Sequence, residues 1–208
     1  MSTGVPETNE RNYHHGNLRQ VLLRAAEQEL ALQGSDKLSL RALARQIGVS
    51  QTAPYRHFVD KNALLAALAT RGYINLTTSM IRAEKAAPES PADKLRATSH
   101  AYVEFALAHK ALFKLMFGPA LDPHEKYPEL FEASRQTFIL VHAIVKKGVE
   151  DGVFRQDDVE YLTNTAWAGV HGIVTLKLDR SELFDRHIID LDRQIDTSLG
   201  IFIAGIKI

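Results

Sequence analysis

The chain has 208 residues, 45% hydrophobic and 24% charged, the proportions of an ordinary globular protein with length for one large domain or two small ones. It has no cysteine, which excludes a disulfide framework, a Cys-based zinc site and a Cys nucleophile. Bases and acids balance at 25 each, no apolar run nears the roughly 20 residues of a membrane span, and the opening MSTGVPETNERNYHHGN has no apolar centre of a signal peptide. A cytoplasmic protein with no membrane partner is expected.

Residues 1–13 are polar, carry Gly4 and Pro6, and read as a disordered arm, with Arg11 the residue placed to reach a partner. From Asn17, a good cap, a helix is predicted with Leu18, Val21, Leu22, Ala25, Ala26 and Leu30 on one stripe, ending near Gly34. The stretch Ser39–Lys61, SLRALARQIGVSQTAPYRHFVDK, reads as two short helices joined by a tight turn, a helix-turn-helix. Ser39 is a candidate N-cap and Leu40, Leu43, Ala44 and Ile47 recur at helical spacing. Gly48 supplies the left-handed backbone that reverses the chain, and Val49 can drop between the helices.

Ser50 is a candidate cap for the second helix, where Pro54 in the fourth position predicts a short or 3₁₀-like piece. Gln51, Thr52, Ala53, Tyr55, Arg56 and His57 project from it before Phe58 returns to the core. Gln, Thr, Tyr and Arg side chains hydrogen-bond base edges or phosphates, and Ala53 is small enough to approach a thymine methyl. Tyr55 and Gln51 are expected to read sequence, and Ser39, His57 and Lys61, at helix ends, to touch phosphates. Arg41 and Ser50 complete the candidate DNA-binding set. Asp60 reads as the cap of a further helix, and the Lys61 cation near its N-terminus opposes the local dipole, which points to an anionic partner.

The zero net charge conceals a separation along the chain. From Arg11 to Lys61 eight bases face four acids, a net +4, and the remainder carries −4. A basic end on an acidic body suits a phosphate-binding module joined to another function.

The run from about Leu22 to Ala69 resembles the DNA-binding domain of the tetracycline-repressor (TetR) family of bacterial transcription regulators. Three ordered blocks carry the resemblance: LLRAAEQELALQG, LSLRALARQIGVS and APYRHFVDKNALLAALA. It implies a homodimer bound to a pseudo-palindromic double-stranded operator, most simply a repressor, and a small-molecule effector bound in the C-terminal part.

The helix from about Asp60 runs on through Met80 to Ala86, where Pro88 and Pro91 in APESPA place the joint. Beyond Pro91, Leu95, Thr98, Tyr102, Phe105 and Ala106 recur at helical spacing until Gly118 and Pro119, with a break expected near His109. LDPHEKYPEL reads as a loop. ELFEASRQTFILVHAIVKKGVEDGVF reads as a helix ending at Gly148 or Gly152, and another starts at Asp157. LFDRHIIDLDRQIDTSLGIFIAGI reads as one last helix, amphipathic through Phe184, Ile188, Leu191, Ile195, Leu199, Phe202 and Ile206. The fold class is all-α with about nine helices. The domains are an arm over 1–13, a helix-turn-helix domain over 14–60, a connecting helix over 61–90 and an effector-binding and dimerisation domain over 91–208.

In WAGVHGIV, Gly169 and Gly172 would each cost a helix roughly 1 kcal/mol relative to Ala, which close approach of another helix would offset. Trp167, His171 and Gly172 resemble the Trp-His-Gly motif of one C-terminal domain type in the family. The family's dimer uses its last two helices, so the resemblance assigns Gly169, Gly172, Ile188, Leu191, Ile195, Leu199 and Phe202 to that interface; packing within one subunit is the other reading of the glycines. Aromatic and Met side chains with a few polar tips mark candidate effector-binding residues: Tyr102, Phe105, Phe113, Met116, Phe117, Phe138, His142, Trp167 and His171. Trp167 and His171, four apart on one helix face, are placed to bracket one molecule or to serve the dimer.

None of the nine histidines lies three or four residues from another, no Glu-x-x-His pair is present, and no nucleotide or hydrolase motif occurs. His100, His142 and His171 read as core or pocket histidines. No catalytic residue, metal or cofactor is expected. A helical enzyme and a protein-binding adaptor without DNA binding are the alternatives; turnover without operator binding would mark the first, and absence of salt-dependent DNA affinity the second.

Overall fold

Two compact units divide the chain at Leu68 and Ala69, inside one helix. The structure, a computed structural model, describes residues 18–187 and 189–208; the arm over 1–13 with Arg11, the cap at Asn17 and Ile188 lie outside these. The described residues form nine α-helices and no strand beyond one isolated bridge, as the apolar periodicity predicts.

In the first unit, α1 (Leu18–Gln33) buries Leu22, Leu23, Ala25, Ala26 and Leu30 and stops at Gly34, whose φ is +79°. Helix α2 (Leu40–Gln46) buries Leu40, Leu43 and Ala44. Its C-terminus is closed by two hydrogen bonds, Val49 N to Ala44 O at 2.9 Å and Gly48 N to Arg45 O at 3.2 Å. That pair, with Gly48 at φ +74°, is a Schellman closure, which needs a left-handed residue in the glycine's place. Ile47 and Val49 are half-buried. The second helix of the motif is a single 3₁₀ turn, Ala53–Arg56, with Pro54 in its opening positions, where a missing amide costs nothing. Pro54 and Phe58 are buried beneath it. The Arg19 guanidinium lies over the Phe58 ring, 5.4 Å from its centroid. Helix α3 (Lys61–Ala86) begins at the carboxylate of Asp60, which accepts from Ala63 N at 2.7 Å.

In the second unit, the rest of α3 is joined by α4 (Pro91–Ala108), α5 (Lys110–Phe117), α6 (Pro128–Glu150), α7 (Val159–Asp179), α8 (Ser181–His187) and α9 (Leu191–Ile206). The break expected near His109 falls on it: φ −125°, ψ 46° turns the chain between α4 and α5. Helix α7 packs against α4, α6 and α9. Asp158 starts α7 by accepting from Glu160 N at 2.9 Å. The α6–α7 turn is tied to the end of α9: Arg155 N donates to Ile206 O at 2.7 Å, Ile208 N to Val153 O at 3.3 Å, and Phe154 bridges Lys207.

The structure corrects the single last helix. α8 and α9 are separate, because the Asp190 carboxylate accepts from Arg193 N at 2.8 Å and so opens a new helix where the sequence pattern continued the old one. The stripe divides accordingly. Phe184, Ile195, Leu199, Ile203 and Ile206 are buried, whereas Leu191 and Phe202 are half-buried.

Candidate functional site

The helix-turn-helix presents a row of side chains with little else to do. Gln51, Thr52, Tyr55, Arg56 and His57 are exposed on and around the 3₁₀ turn, as are Ser39, Arg41 and Ser50, while Ala53 is half-buried. Pro54 and Phe58 anchor the turn from below, so the outward side chains stand on a fixed base. Neither serine caps with its hydroxyl: Ser39 holds the cap position of α2 through its carbonyl alone, which accepts from Leu43 N at 3.0 Å. Thr52, not Ser50, occupies the cap position of the 3₁₀ turn, and it too makes no capping bond; the two hydroxyls lie 3.3 Å apart. The Ser39 hydroxyl thus keeps its proton for an outside acceptor, while Ser50 and Thr52 share one hydrogen bond and leave one of their two protons for such an acceptor. The Lys61 ammonium donates to Asp36 O at 2.7 Å, which pins it between the α1–α2 turn and the start of α3.

The second unit holds a cavity of about 270 Å³. Helices α3 to α7 all contribute to it. α3 supplies Tyr73 and Met80, α4 Tyr102, α5 Phe117 and α7 Asn164 and Trp167. From α6 and the loop before it come Ser134, Thr137, Phe138, Val141 and His124. Most polar tips are already engaged: Tyr73 Oη donates to Met116 O at 2.8 Å, Ser134 Oγ donates to Phe131 O at 2.8 Å, and Thr137 Oγ1 shares a 2.8 Å bond with Thr77 Oγ1. Burial pushes both the Tyr73 and Tyr102 hydroxyls well above the ordinary phenol range, so both stay protonated.

A second cavity of about 250 Å³ lies beside Phe113, Lys114, Phe117, His171 and Thr175. Its edge carries an ion pair, Lys114 Nζ to Asp179 Oδ1 at 2.7 Å. Between the two cavities the Trp167 and His171 rings stack, centroids 4.9 Å apart and planes 19° apart. Tyr102 Oη lies 2.7 Å from His171 Nδ1. Burial lowers the imidazole below its ordinary pKa, so it is neutral near pH 7.

Of the nine effector candidates, Tyr102, Phe117, Phe138 and Trp167 line the first cavity, and Phe113, Phe117 and His171 the second. Trp167 and His171, four residues apart on one helix face, meet each other ring to ring, Trp167 on the side of the first cavity and His171 on that of the second. Phe105 lies against the ring of His109, centroids 4.7 Å apart. Met116 is buried against Gly72. His142 Nε2 faces the Glu160 carboxylate at 3.6 Å. Tyr73, Met80, Thr137 and Asn164 were not picked out by the sequence. The only signal for the first two was their place on the apolar stripe of α3, which reads equally as core.

The glycines of α7 part company. A side chain at Gly169 would meet Ser198 of α9 at 3.3 Å, so its smallness serves packing within the chain, whereas a side chain at Gly172 would meet nothing within 4 Å among the described residues. Ile195 and Leu199 are likewise buried in their own chain, at 0% and 1% exposure.

Residues 22–68 match the family model for the N-terminal region of bacterial regulatory proteins of the tetR family. Residues 95–200 match that of the tetracyclin repressor-like C-terminal domain. A Rhodococcus sp. RHA1 protein of unknown function is similar in structure, with a TM-score of 0.86 and 37% identity over 96% of this chain and all of that one. The HTH-type transcriptional regulator YobS of Bacillus subtilis is 25% identical over 93% of this chain and 94% of its own length. The TetR-family regulator PfmR of Thermus thermophilus shares the fold, with a TM-score of 0.67 at 20% identity over 88% of this chain and 97% of that one. With a helix-turn-helix unit at one end and a cavity-bearing helical unit at the other, each matched by its own model, this chain belongs to the TetR family of bacterial transcription regulators.

Proposed function

We propose that the protein is a cytoplasmic, homodimeric repressor that sits on a pseudo-palindromic operator and leaves it when a small molecule fills the cavity of the second unit. The observation that carries this reading is the outward row on the 3₁₀ turn, with Gln51 and Tyr55 available to base edges, Ala53 small enough to approach a thymine methyl, and Ser39, Arg41, Ser50, Thr52, Arg56, His57 and Lys61 around them for phosphates and sugars. Two such turns, one per protomer, enter successive major grooves. Helix α3 carries Lys61 as its first residue and also gives Tyr73 and Met80 to the cavity, so a ligand that favours one position of that helix biases the DNA-bound population.

Pairing of two copies is assigned to the outer faces of α7 and α9. On α7, Tyr161, Thr165, Ala168, Gly172 and Leu176 fall on one stripe, and on α9 Thr197, Ile201 and Ala204 do the same. Tyr161, Leu176 and Ile201 are 74%, 51% and 71% exposed, an apolar surface of the kind that a second copy covers. Leu191 and Phe202 border it, whereas Ile195, Leu199 and Gly169 stay inside the protomer.

Lys61→Ala tests the DNA reading. It is expected to weaken binding to operator and unrelated DNA alike and to reduce the slope of log affinity against log salt by about one. Tyr55→Ala should instead lose operator affinity with the salt slope kept. A Lys61→Ala protein with unchanged affinity and slope would show that its ammonium serves Asp36 alone.

A further inference from the structure

The cavity between Tyr73, Phe138 and Trp167 has a property that its size and apolar lining do not imply: among the described residues no Lys, Arg, Asp or Glu lines it. Its two phenols are held protonated by burial. Only His124 has a side chain able to carry a positive charge, and its Nε2 already has the Asp122 carboxylate 3.9 Å away. An ionised ligand seated against the buried wall of this space would give up part of its water without gaining a counter-charge, which disfavours it. The second cavity is different, since Lys114 and Asp179 line it; it adjoins the first at Phe117, which lines both.

One lining group remains to be matched. Tyr73, Ser134 and Thr137 are engaged with protein partners, and Tyr102 with His171. The Asn164 carboxamide lines the cavity from its solvent-exposed side, with no side-chain hydrogen bond among the described residues, so it is open to a ligand in place of water. A carboxamide offers one acceptor and two donors and is complemented by a neutral hydroxyl, carbonyl or amide.

Resting on the effector reading above, we infer that the first cavity takes an uncharged molecule with a ring among Tyr73, Phe138 and Trp167 and a neutral hydrogen-bonding group at Asn164. Neutrality also lets such a molecule reach the protein by crossing a membrane unaided.

Trp167 is the only tryptophan of the chain and lines the cavity, so its fluorescence reports occupation directly. Three probes of one shape decide the matter at pH 8, where an imidazole in water is neutral: 3-phenylpropan-1-ol, 3-phenylpropanoate and 3-phenylpropylammonium. The alcohol is expected to change the Trp167 emission with an affinity at least about tenfold above that of either ion. The isosteric exchange Asn164→Asp should then raise the affinity for the ammonium by about tenfold or more and weaken the alcohol, its fold checked by circular dichroism. An ion binding the wild type as tightly as the alcohol overturns neutrality and leaves the cavity as a ligand site. No gain for the ammonium in Asn164→Asp overturns the place given to the polar group. Silence from all three probes at millimolar concentration removes the cavity as the effector site, and this inference falls with it.

Discussion

Gly148→Ala is expected to lower the melting temperature by roughly 2–12 °C, the effect of about 1–3 kcal/mol of overpacking in a chain of this size. The direction is not obvious, because the same exchange in an open helix interior gains up to about 1 kcal/mol. Geometry decides it. A Cβ on Gly148 would run into the ring of Phe154, well inside any contact that real side chains make. That ring is 0% exposed, and its own amide donates to Gly148 O at 2.9 Å, so neither partner has room to retreat. Circular dichroism melts check the result, and the double variant Gly148→Ala/Phe154→Leu should recover part of the loss through direct coupling. An unchanged melting temperature for the single variant would mean that the α6–α7 turn yields more easily than its burial implies.

Gly172→Leu is expected to convert a dimer into a monomer and to reduce operator affinity by on the order of a hundredfold or more, since one half-site makes too few contacts for specific binding. The contrast with Gly148 gives this its force. Among the described residues nothing lies within 4 Å of a Cβ at Gly172, so leucine there burdens the folded chain little and presses on a second copy that packs over α7. Gly172→Ala serves as the control, with a melting temperature equal to or above that of the wild type. Sedimentation equilibrium reads the assembly state. A Gly172→Leu protein that stays dimeric moves the interface off this face.

The helix-turn-helix was legible because each of its parts is local: a glycine at the one left-handed position, a proline that shortens the next helix, and a Phe three residues before the Lys. The break expected near His109 was met at that residue, where the chain leaves helical geometry between α4 and α5. The division at Asp190 was not legible, because an aspartate on the polar face of a continuing helix and an aspartate capping a new one give the same pattern. The cavity was half legible. Periodicity says that Tyr73, Met80 and Thr137 are turned inward, but whether an inward side chain meets a neighbour or a void depends on residues far away in sequence. Trp167 and His171 were legible as a pair, because a spacing of four on a helix puts two rings on one face.

The hydrogen bonds from Arg155 to Ile206 and from Ile208 to Val153 turn the segment from Val153 to Ile208 into a closed circuit, with α7, α8 and α9 strung between two adjoining ends. Such a circuit opens as a unit: α9 cannot swing from α7 without first breaking both bonds and drawing Lys207 off Phe154. In hydrogen exchange, the Arg155 and Ile208 amides, which belong to no helix, should therefore keep pace with the interior amides of α9 instead of with the α6–α7 turn that surrounds the first of them. Fast exchange at Arg155 beside slow exchange at Leu199 would show that the circuit stands open in solution.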